Sequence, residues 1–392
     1  MYRNHPPRHS LRLLNHRRLS HLNSAYGVSS HMTTKTASPF GSTKSLTILS
    51  TFLLGGAELD SGSTRISEEE FSDLVALANS NHVLMRGLEV FLQIVEGAGD
   101  WRRAEWAATA IKVERARIEN AISFLHKICC TFELEGHDIA VIKSLDHWPD
   151  LGSDLDLYTN TKPADVIALM KRRFKARFAP RSWGDRLANK WNFVIPGLPE
   201  AVEIHMGRLG QTGEQLVIAS SLARRVRSVH VGNHLFRVPA ISDRLLISTL
   251  QRMYRHFYFR LCDIVDSAKL AETGAIDYEE LRNSGKAAGI WEGVATYLVI
   301  VSDYVAHYRG EALDLPDFVR ASARFGGDKL HFRRDFLRVP IMPESATLYA
   351  SQLATFLLNR ELKNTARLSL LPCLATAAAV GQKITGSDKG IW

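Results

Sequence analysis

The segment PDLGSDLDLYT, residues 149–159, constrains the fold most strongly because it places two carboxylates inside an apolar run. Leu155 and Leu157 are typical of a buried strand, and Asp154 and Asp156 alternate with them. Successive strand residues point to opposite faces, so the two aspartates would project together while the leucines enter the core. Two like charges this close repel each other unless a cation shares them or one carboxyl is protonated. The pair therefore predicts a strand with a charged, functional face.

A divalent cation would relieve this repulsion, because carboxylate oxygens are hard ligands of the kind that Mg²⁺ prefers. Glu203 lies within the apolar run AVEIHM, where an uncompensated charge is costly, and is the candidate for a third carboxylate. If the two strands are neighbours, three carboxylates converge and can hold one or two metal ions for phosphoryl transfer. The alternative is that Asp154 caps a turn, Asp156 forms a salt bridge and Glu203 faces water. We favour the metal site.

The surrounding pattern predicts helices, then a small mixed α/β region, then helices again. Ser67 and Glu70 have capping-box spacing at the start of one helix, and a long helix is expected over about 101–135. Short apolar runs at 137–144, 190–196 and 201–206 predict strands, a helix is expected at about 162–179, and 227–239 predicts a hairpin. Helical structure is expected again from an N-cap at Ser242 onwards.

These patterns divide the chain into four expected parts. They are a basic, disordered N-terminal segment (1–57), a helical lead-in (58–136), the α/β core (137–240) and a helical C-terminal domain (241–392). The N-terminal segment has the composition of a targeting peptide or a flexible arm, or it precedes a true start at Met32; we favour the last interpretation.

Charge is concentrated at the N terminus, although the whole chain has a net charge of +8. Residues 1–57 contain seven basic and no acidic residues, whereas the remainder has 42 basic and 41 acidic residues. A nearly neutral body does not indicate a surface for nucleic acid, so a nucleic-acid partner is not expected. No stretch has the roughly 20 uncharged residues that a membrane helix needs, so we expect no membrane span.

The cysteines indicate a reducing, cytoplasmic setting, because four in a chain of 392 residues do not form a disulfide framework. His126, Cys129 and Cys130 share the expected face of one helix and are conceivable metal ligands. No second pair of cysteines or histidines lies at zinc-site spacing, so we expect core packing for this group.

GSDLDLYT resembles the Ser-Asp-hydrophobic-Asp-hydrophobic motif of nucleotidyltransferases of the DNA polymerase β superfamily. The order of strand IAVIKS, aspartate pair, helix, strand and carboxylate strand VEIH is similar to a bacterial, largely uncharacterised branch of that superfamily. The resemblance covers about 115–305, roughly half the chain. It implies an α+β fold with a small mixed-sheet nucleotidyltransferase core, flanked by an N-terminal helical segment and a C-terminal helical domain.

The resemblance also implies functional residues. Asp154 and Asp156 would bind Mg²⁺ or Mn²⁺, and Glu203 would be the third carboxylate, also placed to activate an acceptor hydroxyl. Lys143, at the end of the preceding strand, would contact nucleotide phosphate as a mobile charge. Ser153 helps to shape the turn before the aspartates and is grouped with the nucleotide-binding residues.

Three further residues are assigned to nucleotide binding. His205 matches a histidine of the family and would bind substrate or orient a carboxylate, although a structural histidine is an equal alternative. Arg255 and His256 fall where a polar helix edge would face the cleft. The chain departs from the family at Ser144, where glycine is usual, and its Gly-Ser pair abuts Asp154 instead of preceding a helix.

The expected activity is magnesium-dependent transfer of a nucleoside monophosphate from a nucleoside triphosphate, with ATP the expected donor, to an unidentified small-molecule or protein hydroxyl. The alternative is a degenerate nucleotidyltransferase that acts as a nucleotide-binding or scaffold module. The expected partners are accordingly a nucleotide and an acceptor.

Overall fold

The computed structural model describes residues 43–55, 64–181, 183–210, 216–222, 224–373 and 376–377. The N-terminal residues 1–42, including the candidate start at Met32, lie outside this part of the chain. Residues 374–375 and 378–392 also lie outside it.

The described chain begins with four helices: α1 (Lys44–Leu54), α2 (Glu68–Ser80), α3 (Leu84–Gly97) and α4 (Trp101–Leu134). The capping box at the start of α2 is confirmed, since the Ser67 hydroxyl accepts from the Glu70 N–H and the Glu70 carboxylate accepts from the Ser67 N–H. The long helix is confirmed as α4, and Cys129 on it is buried in the core.

Helix α1 corrects the expected end of the disordered segment at residue 57. Leu46, Leu49 and Phe52 recur at helical spacing, and all three are buried in the hydrophobic core. Thr43 caps the helix by accepting from the N–H of Leu46. The basic composition of the first 57 residues concealed this short apolar face.

The central sheet has five strands: β1 (Ala140–Val141), β2 (Asp154–Thr159), β3 (Arg177–Phe178), β4 (Lys190–Val194) and β5 (Ala201–Met206). Their order is β1-β2-β5-β4-β3, and β2 and β5 are parallel while the other pairs are antiparallel. Helix α5 (Pro163–Phe174) follows β2, and α6 (Trp183–Leu187) precedes β4. The expected α+β class with a small mixed sheet is confirmed.

Helix α7 (Leu216–Leu222) leads to a two-stranded hairpin, β6 (Val226–Val231) and β7 (His234–Pro239). The hairpin is confirmed, and it turns at Gly232, where φ is +55°, and Asn233. The next helix, α8 (Ile241–Met253), begins earlier than expected, with Ala240 rather than Ser242 at its N-cap. Ser242 is instead buried, and its hydroxyl donates to Glu280.

The C-terminal part is mostly helical, with α9 (Leu261–Glu272), α10 (Tyr278–Ala287), α11 (Trp291–Arg309), α12 (Asp317–Ser322), α13 (Ala346–Leu358) and α14 (Leu362–Ser369). The expectation that helical structure continues without interruption after α8 was wrong. A three-stranded sheet interrupts it, formed by β8 (Tyr258–Phe259), β9 (His331–Arg333) and β10 (Phe336–Arg338) in the order β8-β10-β9. None of the helices described has both the length and the apolar character needed to cross a membrane.

Candidate active site

A cavity of about 310 Å³ opens beside the central sheet, and three separate parts of the chain line it. The N-terminal helical part contributes His82, the sheet region contributes most of the polar groups, and the C-terminal part contributes Arg252 and its neighbours. All eight residues that the sequence assigned to a site line this cavity: Lys143, Ser153, Asp154, Asp156, Glu203, His205, Arg255 and His256. Their chemical roles remain predictions.

The carboxylates meet because β2 and β5 pair directly. The parallel register sets Asp156 opposite Glu203, so their side chains share a face of the sheet, and Asp154 lies two residues away on the same face. Asp156, Glu203 and His205 bring possible ligand atoms within 4.8 Å of one another. Nε2 of His205 lies 3.0 Å from Oε1 of Glu203 and 3.7 Å from Oδ1 of Asp156. The nearest set of donors therefore includes His205, which the sequence had not counted as a ligand.

Two lysines neutralise part of this negative charge. Lys143 forms an ion pair with Asp156, and its Nζ lies 3.7 Å from Oε1 of Glu203. On the other side, Nζ of Lys190 lies 2.9 Å from Oε2 of Glu203 and 2.8 Å from Asp185. Sequence reasoning missed Lys190, because its contact with Glu203 depends on the pairing of β4 with β5.

These contacts set the pKa of Glu203. Burial alone would raise it, but Lys143, a hydrogen bond from His205 and the charge of Lys190 together hold the pKa well below its usual range. Burial would also lower the pKa of Lys190, and the charges of Glu203 and Asp185 reverse this and raise it. Glu203 and Lys190 are therefore both charged at neutral pH.

Asp154 is the carboxylate with the least compensation. Burial, followed by repulsion from Asp156 and Glu203, raises its pKa to about 6, and attraction to Lys143 and Arg260 offsets only part of this. Negative charge at Asp154 is therefore only partly compensated by the cations near it.

The residues between β1 and β2 explain how Lys143 reaches the carboxylates. The backbone φ of Lys143 is +64°, in the left-handed region that residues other than glycine and asparagine rarely adopt. The next residue, Ser144, accepts a 2.7 Å hydrogen bond from the N–H of Asp156. Ser144 therefore secures β2 beyond the point where β1 ends.

The turn before β2 is fixed by Arg117 on α4. Its guanidinium donates to the carbonyls of Leu151 (2.8 Å) and Gly152 (3.2 Å), and it also pairs with Glu114 and Glu200. A Cβ at Gly152 would lie 2.9 Å from Cε1 of His82, so glycine permits this close approach. Gly152 packs against a histidine ring, while Ser153 is exposed and faces the cavity.

A cationic wall from the C-terminal part faces the carboxylates across the cavity. Arg252, Arg255 and Arg260 line it together with His256 and Tyr258. Burial and then the three arginines lower the pKa of His256 well below its usual range, so its imidazole is neutral. Sequence reasoning missed Arg260 and Tyr258 because it expected an uninterrupted helix here.

The wall is held in place from behind. Arg252 is buried, with Nε 2.7 Å from Oδ2 of Asp263, and the same carboxylate accepts from the N–H of Arg260 at the start of α9. Tyr258 stacks on Phe336 of β10 with ring centroids 4.3 Å apart. Carboxylates of adjacent strands, ion-paired lysines and the arginines of the wall thus surround one cavity. In comparisons with known proteins, no family model and no curated protein matches the chain.

Proposed function

We propose that the protein transfers a nucleoside monophosphate from a nucleoside triphosphate, with ATP the expected donor, to a hydroxyl acceptor in a magnesium-dependent reaction. The observation that carries this proposal is the convergence of Asp154, Asp156 and Glu203 from two parallel strands on a cavity with an opposing cationic wall. The order of the corresponding elements along the chain, which resembles that of the DNA polymerase β superfamily, supports the same reaction.

The donor set is suitable for a divalent cation. Asp154, Asp156 and Glu203 would hold Mg²⁺ or Mn²⁺ through hard carboxylate oxygens, and the raised pKa of Asp154 marks negative charge that a cation would compensate. When bound, the cation would neutralise charge on the reacting phosphates. The ammonium group of Lys143 is joined to the backbone by a flexible chain of four carbons, so it can turn from Asp156 towards a phosphate.

The chain's own residues would bind and orient both substrates. Arg255 and Arg260 carry planar guanidinium groups suited to paired hydrogen bonds with phosphate oxygens, and the neutral His256 adds a single donor. Glu203 is ionised and held by His205, so it can accept a hydrogen bond from an acceptor hydroxyl. Catalysis would depend mainly on this positioning and on electrostatic stabilisation.

The test uses ATP labelled at the α-phosphate, magnesium and a panel of hydroxyl acceptors. We expect Asp154→Asn to abolish transfer of label while its circular dichroism spectrum stays that of the wild type. Asp165→Asn, on an exposed position of α5 that does not line the cavity, is the matched control and should retain transfer. Undiminished transfer by Asp154→Asn would refute the assignment of this carboxylate.

A nucleotide-binding or scaffold module without turnover is the second candidate, and the lysines favour it. Lys143 and Lys190 already contact Asp156 and Glu203, so part of the carboxylate charge is balanced without a metal ion. Magnesium-dependent binding of a non-hydrolysable ATP analogue, without transfer to any acceptor, would support this module. Absence of nucleotide binding would exclude both candidates.

A further inference from the structure

A second cluster of metal-binding side chains lies in the wall of the same cavity and shares no residue with the carboxylates. His82 precedes α3, His147 lies between β1 and β2, and Cys262 is the second residue of α9. Possible ligand atoms of the three lie within 4.8 Å of one another. His82 and His147 line the cavity, whereas Cys262 is completely buried beneath them. Three distant parts of the chain thus converge on one point.

The orientation of His147 is fixed by a carboxylate. Its Nδ1 lies 2.6 Å from Oδ2 of Asp266, and Oδ1 of Asp266 accepts a 2.6 Å hydrogen bond from Arg86. This leaves Nε2 of His147 facing Cys262, 3.6 Å from Sγ. Metal-binding histidines usually bond to a carboxylate or carbonyl through the nitrogen that does not bind the ion. Asp266 therefore holds His147 as a metal ligand would be held.

His82 completes the group. Its Nδ1 is shielded from solvent and has no hydrogen-bond partner among the described residues. Its ring lies 5.8 Å from that of His147, and its backbone has a left-handed φ of +53°. A buried nitrogen without a partner costs free energy, and so does this backbone conformation. Both costs would be offset if the imidazole had a ligand that the chain alone does not supply.

We propose that His82, His147 and Cys262 bind Zn²⁺ or another transition metal ion of similar preference. Imidazole and thiolate are the usual zinc ligands, whereas Mg²⁺ favours oxygen donors. Binding converts the Cys262 thiol to a thiolate and releases its proton to solvent. Three protein ligands leave a fourth position, and the cavity beside the two histidines has room for a water molecule there.

The same atoms also resemble a nucleophilic Cys-His-Asp arrangement, which the burial of Cys262 argues against. Its exposed fraction is 0%, and it does not line the cavity, so no substrate carbon or phosphorus atom reaches the sulfur. A metal ion can enter from the cavity side past the two histidines. A nucleophilic arrangement would also leave the Nδ1 atom of His82 without a partner, whereas the metal site includes His82.

Cobalt(II) provides a direct test, because a thiolate bound to it gives an intense charge-transfer band that carboxylate ligands do not. Full-length protein is stripped with a chelator and titrated with Co²⁺. We expect this band at one ion per chain. In both Cys262→Ser and His82→Gln it should be lost, or should require at least about tenfold more Co²⁺.

Two controls separate this site from other parts of the protein. Cys130→Ser removes another cysteine in contact with a histidine, with Sγ 3.4 Å from Nε2 of His126, and should retain the band. Asp156→Asn alters the carboxylate site and should also retain it, so the result does not depend on nucleotidyl transfer.

The proposal is overturned if wild-type protein shows no thiolate band, or if the band persists unchanged in Cys262→Ser. Circular dichroism will show whether the buried Cys262→Ser change disturbs folding. If it does, the test rests on His82→Gln, because His82 lies at the cavity surface. An unchanged cobalt affinity in that folded variant overturns the proposed metal site.

Discussion

Asp154→Asn should stabilise the metal-free protein at neutral pH, even though it removes a predicted catalytic carboxylate. In the folded protein, burial and repulsion from Asp156 and Glu203 raise the pKa of Asp154 from 3.8 to about 6. A raised carboxyl pKa means that the folded state binds the proton more tightly than the unfolded state. The stabilisation of the folded state by the protonated Asp154 carboxyl is complete below pH 3.8 and is lost as the pH rises through 6.

The magnitude follows from the two pKa values. Relative to its fully protonated form, ionisable Asp154 reduces the free energy of unfolding by about 1.6 kcal/mol at pH 5 and about 3 kcal/mol at pH 7.5. Both are upper limits, since Asp154 is only partly buried and solvent screens some of the repulsion. Asparagine has nearly the same shape and carries no charge. The advantage of the variant should therefore grow by up to about 1.4 kcal/mol between these pH values.

Urea unfolding at pH 5 and pH 7.5, with a chelator present, measures this difference for the wild type and Asp154→Asn. Asp165→Asn, on the exposed face of α5, should show no comparable pH-dependent gain. Addition of Mg²⁺ should then stabilise the wild type more than Asp154→Asn, because ligand binding to the folded state adds to stability. A variant that is less stable than the wild type at pH 7.5 without metal would refute the charge-repulsion argument.

Three substitutions near the cavity test its supporting contacts, all by urea unfolding. Ser144→Ala removes the acceptor of a buried main-chain N–H on β2 and should cost about 1–3 kcal/mol. Arg117→Met leaves a buried glutamate and two carbonyls without their donor and should cost about 3–5 kcal/mol. Gly152→Ala brings a methyl group within 2.9 Å of the His82 ring and should cost about 1–3 kcal/mol, whereas Gly97→Ala, with no atom within 4 Å of the added Cβ, should not destabilise. A stable Gly152→Ala variant would contradict the close packing inferred at that ring.

The alternation of residues within β2 and β5 was sufficient to locate the carboxylate face, because strand periodicity is a local property. It placed Asp154 and Asp156 on one face, whereas the convergence of Glu203 with them was conditional on the two strands being neighbours, which the parallel pairing of β2 with β5 provides. Lys190 was not reached, since its contact with Glu203 depends on the antiparallel pairing of β4 with β5. The sequence of one segment does not predict the register in which it pairs with a distant segment.

The cationic wall was only partly predictable for a related reason. The run RMYRHFYFRL contains no glycine or proline that would indicate a break, and its apolar residues suit a helix. The break comes from Phe257, whose φ is +53°, and from pairing of β8 with β10, where Phe259 faces Leu337. That pairing brings Tyr258 and Arg260 to the cavity. A long-range contact therefore overrides local helical preference here.

Backbone strain around the cavity indicates a binding site for ligands and not only a cluster of structural salt bridges. Among the described residues other than glycine, eight have positive φ, and four of them, His82, Lys143, Asn189 and Phe257, line the cavity or adjoin residues that do. Each costs about 1–3 kcal/mol and persists only where surrounding structure enforces it. Of these four, His82, Lys143 and Phe257 belong to separate segments. Their backbone conformations bring an imidazole, an ammonium group and the Tyr258–Arg260 turn to one cavity, as a preorganised binding site requires.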